Sequence, residues 1–266
     1  MKIAWLTDLH LEFVKTAEPF EELCRNVREP SPDLVLVGGD TAVAGSVADK
    51  LTELQSALNL PVYFVLGNHD YYYGWMAEVH EKVRSLSARS ADLCWLSEAG
   101  VIPLTERTAL IGHDSWADGR LGLKSQSTFR LNDYAMIRDF GEMNLAQRFA
   151  KLNALGDTAA DYLRKTLSEA LTRFDEVLLL THVPPFREAC IYEGAISSDN
   201  ALPHFSCKAV GDMLVASMEQ HPGKQLHVLC GHTHSPAEVR IRPNLLVEAG
   251  QAEYYTPKLQ RIIEVS

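Results

Sequence analysis

Val62-Tyr63-Phe64-Val65-Leu66-Gly67-Asn68-His69-Asp70 is the stretch whose reading decides the fold. A short, β-rich apolar run breaks at glycine and then delivers three polar side chains, as a strand ending in a reactive loop does. In open α/β sheets, ligands bind just beyond the carboxyl ends of the strands. The same grammar recurs along the chain. Lys2–Leu6 runs into Thr7-Asp8-Leu9-His10, and Asp33–Val37 into Gly38-Gly39-Asp40. Val177–Leu180 runs into Thr181-His182, and Leu226–Cys230 into Gly231-His232-Thr233-His234. Apolar runs that each spill Asp, Asn or His at their ends predict a metal site.

Between these runs the spacing predicts helices over Pro19–Val27, Gly45–Leu58 and Trp75–Leu86. The second carries Val47, Leu51, Leu54 and Leu58 on one face. Strand and helix alternate to about residue 90, which predicts a largely parallel sheet with covering helices. Leu93–Leu96, Val101–Leu104 and Ala109–Gly112 then read as short strands. Residues 116–160 carry no strand pattern, and such an insertion in a compact domain is expected to be a lid or pocket wall. A helix is predicted over Asp157–Phe174, a long loop over Ile191–Ser206 and a helix over Ser206–Gln220. Val239–Ile241, Leu245–Glu248 and Leu259–Val265 read as closing strands. No repeat, linker or low-complexity tract interrupts the sequence, so residues 1–266 are expected to form one domain.

With 46% hydrophobic residues among 266, the chain can bury a full core. No apolar run approaches the roughly 18 residues of a membrane span. A first strand beginning at residue 2 leaves no room for a signal peptide, and the five cysteines, odd in number and without CxxC spacing, read as buried free thiols. A cytoplasmic protein is the expectation. The net charge of −10 disfavours anionic membrane surfaces and nucleic acid, which need a basic face. It leaves room for an anionic substrate, because two divalent cations beside Asp8 and Asp40 would make a local positive focus.

Imidazole, carboxylate and amide oxygen suit hard-to-borderline divalent ions, whereas structural zinc prefers thiolates. Asp8 and His10 could turn toward one ion, and Asp40 follows two glycines that let the backbone approach closely. Asn68 offers a neutral oxygen. His232 and His234 can reach two different ions from one turn, and His182 completes the set.

These blocks, taken together and in this order, resemble those of the calcineurin-like metallophosphoesterases, and the resemblance spans Asp8 to His234. It implies an α/β fold of two packed mixed β-sheets flanked by helices, a four-layer α-β-β-α sandwich. It also implies two divalent ions (Mn, Fe, Zn, Co or Ni), one held by Asp8, His10, Asp40 and His234 and the other by Asp40, Asn68, His182 and His232. A hydroxide bridging the ions would attack the phosphoester of a small molecule, since two ions about 3.5–4 Å apart acidify a shared water and clamp both apical oxygens. His69 matches the histidine that stands near the leaving-group oxygen, and Asp70 the carboxylate expected to orient it and raise its pKa.

Protein phosphatases of the superfamily carry Asp-Arg-Gly after the second block and Gly-Asn-His-Glu at the third. Here Asp40 is followed by Thr41-Ala42-Val43, and the third block ends in Asp70. Lipid-precursor pyrophosphatases carry Arg in place of His69. The pattern is nearer the small phosphodiesterase and phosphomonoesterase branches. Arg130, Asn132, Tyr134 and Arg138 in the insertion, and His113 after a strand, are the candidate substrate contacts. Tyr71, Tyr72 and Tyr73 could stack on a base or pack the next helix, with packing favoured. His80, His204, His221 and His227 read as structural or solvated. A nuclease would need a basic groove, and a non-catalytic scaffold should have lost ligands; this sequence shows neither.

Overall fold

The computed structural model describes all 266 residues. In chain order the strands are β1 (Lys2–Leu6), β2 (Leu34–Gly38), β3 (Val62–Val65), β4 (Leu93–Trp95), β5 (Ile102–Pro103), β6 (Thr108–His113), β7 (Glu176–Thr181), β8 (Ile191–Tyr192), β9 (Ala195–Ile196), β10 (Gln225–Cys230), β11 (Ala237–Arg242), β12 (Leu245–Ala249) and β13 (Arg261–Glu264). The helices are α1 (Glu18–Arg28), α2 (Val47–Leu58), α3 (Met76–Arg89), α4 (Leu96–Ala99), α5 (Asp133–Met136), α6 (Leu145–Arg173) and α7 (Lys208–Gln220). One sheet has the order β13-β1-β2-β3-β4, parallel throughout except for β13. The second has the order β11-β12-β10-β7-β6-β5, with a parallel centre and antiparallel edges. A small hairpin, β8-β9, sits in the loop predicted after His182. The expected class, α/β with two mixed sheets flanked by helices, is the one the chain adopts.

Each central strand is apolar on both faces because both faces are buried. On β2, Leu34 and Leu36 face the other sheet while Val35 and Val37 face the helices. On β7, Leu178 and Leu180 point into the seam between the sheets, whereas Val177 and Leu179 pack with α6 and α7 residues such as Leu163, Leu167 and Leu214. The seam also holds Ile3, Trp5, Val65, Leu110 and Leu229. Continuous hydrophobic runs in the sequence are thus the signature of strands sandwiched twice.

Several expectations change in detail. Leu93–Leu96 splits into β4 and the single turn α4, and β6 belongs to the second sheet. Of the closing strands, β11 and β12 extend the second sheet, whereas β13 crosses to pair with β1 in the first. The helix predicted over Asp157–Phe174 starts far earlier, at Leu145, behind a capping box in which the Asn144 side chain accepts from the Gln147 amide and Gln147 Oε1 accepts from the Asn144 amide, both at 3.0 Å. Gly156, just before the predicted start, lies inside α6. A Cβ there would come within 2.5 Å of Asp118 Cβ, so the residue is small to let a loop pack against the helix.

Asp114, immediately after β6, ties the central motif to its surroundings. Its Oδ1 accepts from the Leu66 amide (2.7 Å), Trp95 Nε1 (2.9 Å) and the Ser97 hydroxyl (2.7 Å), and its Oδ2 accepts from the Tyr71 hydroxyl (3.0 Å). Removing a buried acceptor leaves each donor to bear its own desolvation cost. Asp114→Ala is expected to cost about 3 kcal/mol or more, measured as a lower denaturation midpoint in urea at unchanged slope. A midpoint equal to wild type would show the network to be dispensable.

Candidate metal centre

The polar strand-end residues meet at one edge of the seam. The first sheet brings Asp8 and His10 after β1, Asp40 after β2 and Asn68 and His69 after β3; the second brings His182 after β7 and His232 and His234 after β10. Asp8, His10, Asp40, Asn68 and His182 are buried, and His69, His232 and His234 are partly exposed toward the opening. Asp8, His10, Asp40, His232 and His234 all have left-handed backbones, with φ of 51°, 44°, 50°, 71° and 57°. Such conformations are costly outside glycine and persist where the surroundings impose them, often at functional sites. Gly67 stands against the cluster, and a Cβ on it would lie 2.2 Å from Asp40 Oδ1 and 2.6 Å from His182 Cε1.

Two groups of ligand atoms emerge. In the first, His10 Nε2 lies 3.0 Å from His234 Nε2 and 3.8 Å from Asp40 Oδ2, and His234 Nε2 lies 3.5 Å from Asp8 Oδ1. These four side chains have ligand atoms within 4.8 Å of one another. In the second, Asn68 Oδ1 lies 3.0 Å from His182 Nε2 and 2.9 Å from His232 Nδ1, and His182 Nε2 lies 3.5 Å from Asp40 Oδ1.

The tautomers test whether a cation fits. His182 Nδ1 lies 2.9 Å from the Gly38 carbonyl, and His232 Nε2 lies 3.1 Å from the His204 carbonyl. A carbonyl only accepts, so those nitrogens carry the hydrogens. Burial lowers the pKa of both rings, that of His232 to about 3 with His182 adding to the effect, so both rings are neutral. The two remaining nitrogens therefore present lone pairs to Asn68 Oδ1, whose own amide nitrogen donates to Asp133 Oδ1 at 2.9 Å. Acceptors converging on acceptors with no hydrogen between them form a hole for a cation. The donor set is imidazole, carboxylate and amide oxygen, without thiolate, and suits a divalent ion.

The carboxylates respond to the same crowding. Burial raises Asp40 well above the usual range, with the charges of Asp8 and Asp70 adding to it. For Asp8, burial pushes upward, but the His234 contact and the surrounding histidines outweigh it and hold the carboxyl far below that range. Asp8 Oδ2 also accepts from the Thr7 hydroxyl at 2.6 Å, and Oδ1 from the His232 amide at 2.9 Å.

The profile of the calcineurin-like phosphoesterases matches residues 1–236. The chain belongs to this family. Family membership implies metal-dependent phosphoester hydrolysis. Among curated relatives, the chain is 28% identical over 111 residues to a metallophosphoesterase of Campylobacter jejuni, covering 38% of this chain and 29% of that protein. It is also 28% identical over 95 residues to the UDP-2,3-diacylglucosamine pyrophosphatase LpxG of Chlamydia muridarum, covering 34% and 29%. The matched stretches thus span under a third of those relatives' own length. Among solved structures, the fold is similar to phosphopantetheinyl hydrolase PptH from Mycobacterium tuberculosis (TM-score 0.65, 14% identity, 97% of this chain and 95% of that one). It is also similar to a dimetal phosphatase from Danio rerio (TM-score 0.62, 13% identity, 98% and 91%).

Other residues singled out in the sequence lie elsewhere or act differently. Asp70 does not orient His69: it is fully buried, and its carboxylate accepts from the amides of Thr41, Ala42 and Gly67 at 2.8–2.9 Å, bracing the β2 and β3 loops. The carboxylate beside His69 Nδ1 is instead Glu12 Oε1, at 3.4 Å. His113 faces a separate cleft with Tyr162, His80 and Trp95, and its Nδ1 accepts from the Ser115 amide. Tyr134 is buried with its hydroxyl on His204 Nδ1, while Arg130, Asn132 and Arg138 are exposed, with no contact to the cluster. The three tyrosines diverge: Tyr71 packs and bonds Asp114, Tyr72 stacks on His69 with centroids 4.1 Å apart, and Tyr73 is exposed.

Glu12 and Asp133 are the site-supporting residues that the sequence reading passed over. Glu12 had a signal, since Asp8, His10 and Glu12 alternate at every second residue. Asp133 had none, lying far along in the insertion. It is buried and accepts from both Asn68 and the Tyr72 hydroxyl, the latter at 2.7 Å.

Gly67→Ala drives a methyl group into Asp40 and His182. We expect it to fold while losing about 10–100-fold in divalent-ion affinity, read by competition with a chelating dye. Wild-type affinity would mean that the loop yields at no cost to the cluster.

Proposed function

We propose that the cluster holds two divalent ions and that the chain hydrolyses a phosphodiester or phosphomonoester of a small molecule. The observation that carries this reading is the meeting of the His182 and His232 ring-nitrogen lone pairs on the Asn68 oxygen, with no donor between them, beside the partly exposed His69. Asp8, His10, Asp40 and His234 would hold one ion, and Asp40, Asn68, His182 and His232 the other. Mn, Fe, Zn, Co and Ni all suit these ligands. When bound, the ions supply positive charge to the phosphoryl oxygens and a water of lowered pKa.

The chain's own residues do the rest. In hydrolysis a water oxygen bonds to phosphorus, the ester P–O bond breaks, and the departing oxygen needs a proton. His69 is placed to give it from Nε2, which has no partner, because Nδ1 is engaged by Glu12. Burial works against a charged His69, but the carboxylates of Asp40 and Glu12 outweigh it and raise the pKa. No Lys or Arg is among the cluster's hydrogen-bond partners, so neutralising the phosphoryl charge falls to the ions.

An aromatic rim favours an ester with a flat or apolar organic part. Tyr254, 43% exposed, lies over His10 and His234 with centroids 4.7 and 5.3 Å away, and Phe13 packs against both Tyr254 and the exposed Tyr255. Likeness to LpxG, a pyrophosphatase, supports phosphoryl chemistry without naming the substrate. On this reading residues 1–266 work as one domain. Residues 116–160 serve as a pocket wall, since Trp116, Asp133 and Tyr134 line a small cavity with Asn68, His182 and His232.

The test is hydrolysis of bis(p-nitrophenyl) phosphate and p-nitrophenyl phosphate by metal-stripped protein, before and after refilling with Mn²⁺. Stripping should lower turnover at least about 100-fold and refilling restore it. No turnover of either ester with any divalent ion, despite two bound per chain, would turn the reading to a scaffold that retains the fold. His69→Asn should keep both ions and lose about 10²–10⁴-fold of turnover. Metal loss with unchanged activity per bound ion would remove His69 from this role.

A further inference from the structure

We infer that Glu12 is the positioning residue of His69, its carboxylate fixing that ring. The inference rests on the phosphoesterase reading for the purpose of the positioning, but its structural basis is independent of it. Glu12 Oε1 lies 3.4 Å from His69 Nδ1 and 3.5 Å from His10 Nδ1. The side chain is only 12% exposed, and Oε2 has no partner. A carboxylate in such a place is costly unless something holds it. Here no Lys or Arg does so, and besides its own backbone amide the His69 imidazole is the group it meets.

A carboxylate only accepts, so the His69 Nδ1 facing it carries a hydrogen. That choice leaves Nε2 of His69 as the nitrogen free to meet a leaving group. The His69 ring is then held on two further sides, by Tyr72 stacked at 4.1 Å and 26° and by the edge of His10 at 4.5 Å. Asp70, the neighbour in sequence, is occupied by three backbone amides and has no part in this. Glu12 reaches the position because His10 takes a left-handed φ of 44° and Leu11–Phe13 forms a single 3₁₀ turn, which folds the chain back beneath the two rings. A donor held in line is worth far more than one that wanders, since misplacement by an ångström can cost about 100-fold.

The experiment compares wild type, Glu12→Ala, Glu12→Gln, His69→Asn and the Glu12→Ala/His69→Asn double variant on a phenyl and a p-nitrophenyl phosphodiester. Ions per chain are counted in each protein. The phenyl ester, with its poorer leaving group, depends more on the proton. Glu12→Ala should keep both ions, lose about 10–100-fold in kcat on the phenyl ester and lose clearly less on the p-nitrophenyl ester. Adding it to His69→Asn should cost nothing further, as expected for a residue acting through His69. Glu12→Gln, which keeps an acceptor of the same shape, should retain more turnover than Glu12→Ala. Long-range ¹H–¹⁵N NMR of metal-free protein should find the hydrogen on His69 Nδ1 in wild type and lose that preference in Glu12→Ala. Additive losses, equal losses on both esters, an unchanged tautomer, or loss of an ion accounting for the whole effect would each overturn the inference. If wild type hydrolyses neither ester, the phosphoesterase reading fails by itself. The tautomer in metal-free protein then still decides whether Glu12 holds His69.

Discussion

Lone pairs that point at one another are the constraint on which this molecule is built. Two backbone carbonyls, of Gly38 and His204, take the hydrogens of His182 and His232 and so force their other nitrogens onto the oxygen of Asn68. Nothing inside the protein relieves that opposition. The surrounding chain keeps it in place at some expense, with left-handed backbones at Asp8, His10, Asp40, His232 and His234 and buried carboxylates at Asp8 and Asp40. Strain of this sort survives only where packing on all sides over-determines it. The two sheets with their helices on the outside supply that packing.

A layer of supporting groups stands behind the cluster, and each has one task. Asp70 joins the β2 and β3 loops through three amides, so the Asp40 and Asn68 loops move as a unit. Asp114 gathers Leu66, Tyr71, Trp95 and Ser97. Asp133 reaches in from the insertion to fix the rotamer of Asn68 and the hydroxyl of Tyr72, whose ring covers His69. The insertion is therefore tied into the centre through a buried hydrogen bond, which is what a fixed wall requires.

Much of this is legible in the amino-acid sequence alone. The strand-end residues could be read because an apolar run followed by Gly and a polar side chain defines both position and exposure, and those side chains do come together. Which strand joins which sheet could not be read: strands buried on both faces look alike whichever sheet they join, so β6 gave no hint of its partners. The start of α6 lies well before the predicted one, and Gly156 inside it owes its small size to the close approach of Asp118. The choice between Asp70 and Glu12 was equally closed to sequence. Adjacency to His69 favoured Asp70, but which side chain reaches a ring depends on the backbone turns at His10 and at His69–Tyr71, which no spacing rule encodes.

The cluster draws on both sheets, and this has a mechanical meaning. Asp8, His10, Asp40 and Asn68 hang from one sheet and His182, His232 and His234 from the other, so ions bound among them would act as rivets through the sandwich. Prising the layers apart and letting the ions go would then be a single event. By linkage the relation would run both ways: occupancy would stiffen the seam, and a looser fit among Ile3, Leu36, Leu178 and Leu180 would weaken the grip on metal from well inside the protein. The hydrophobic interior of this chain would in that sense be part of its affinity for ions.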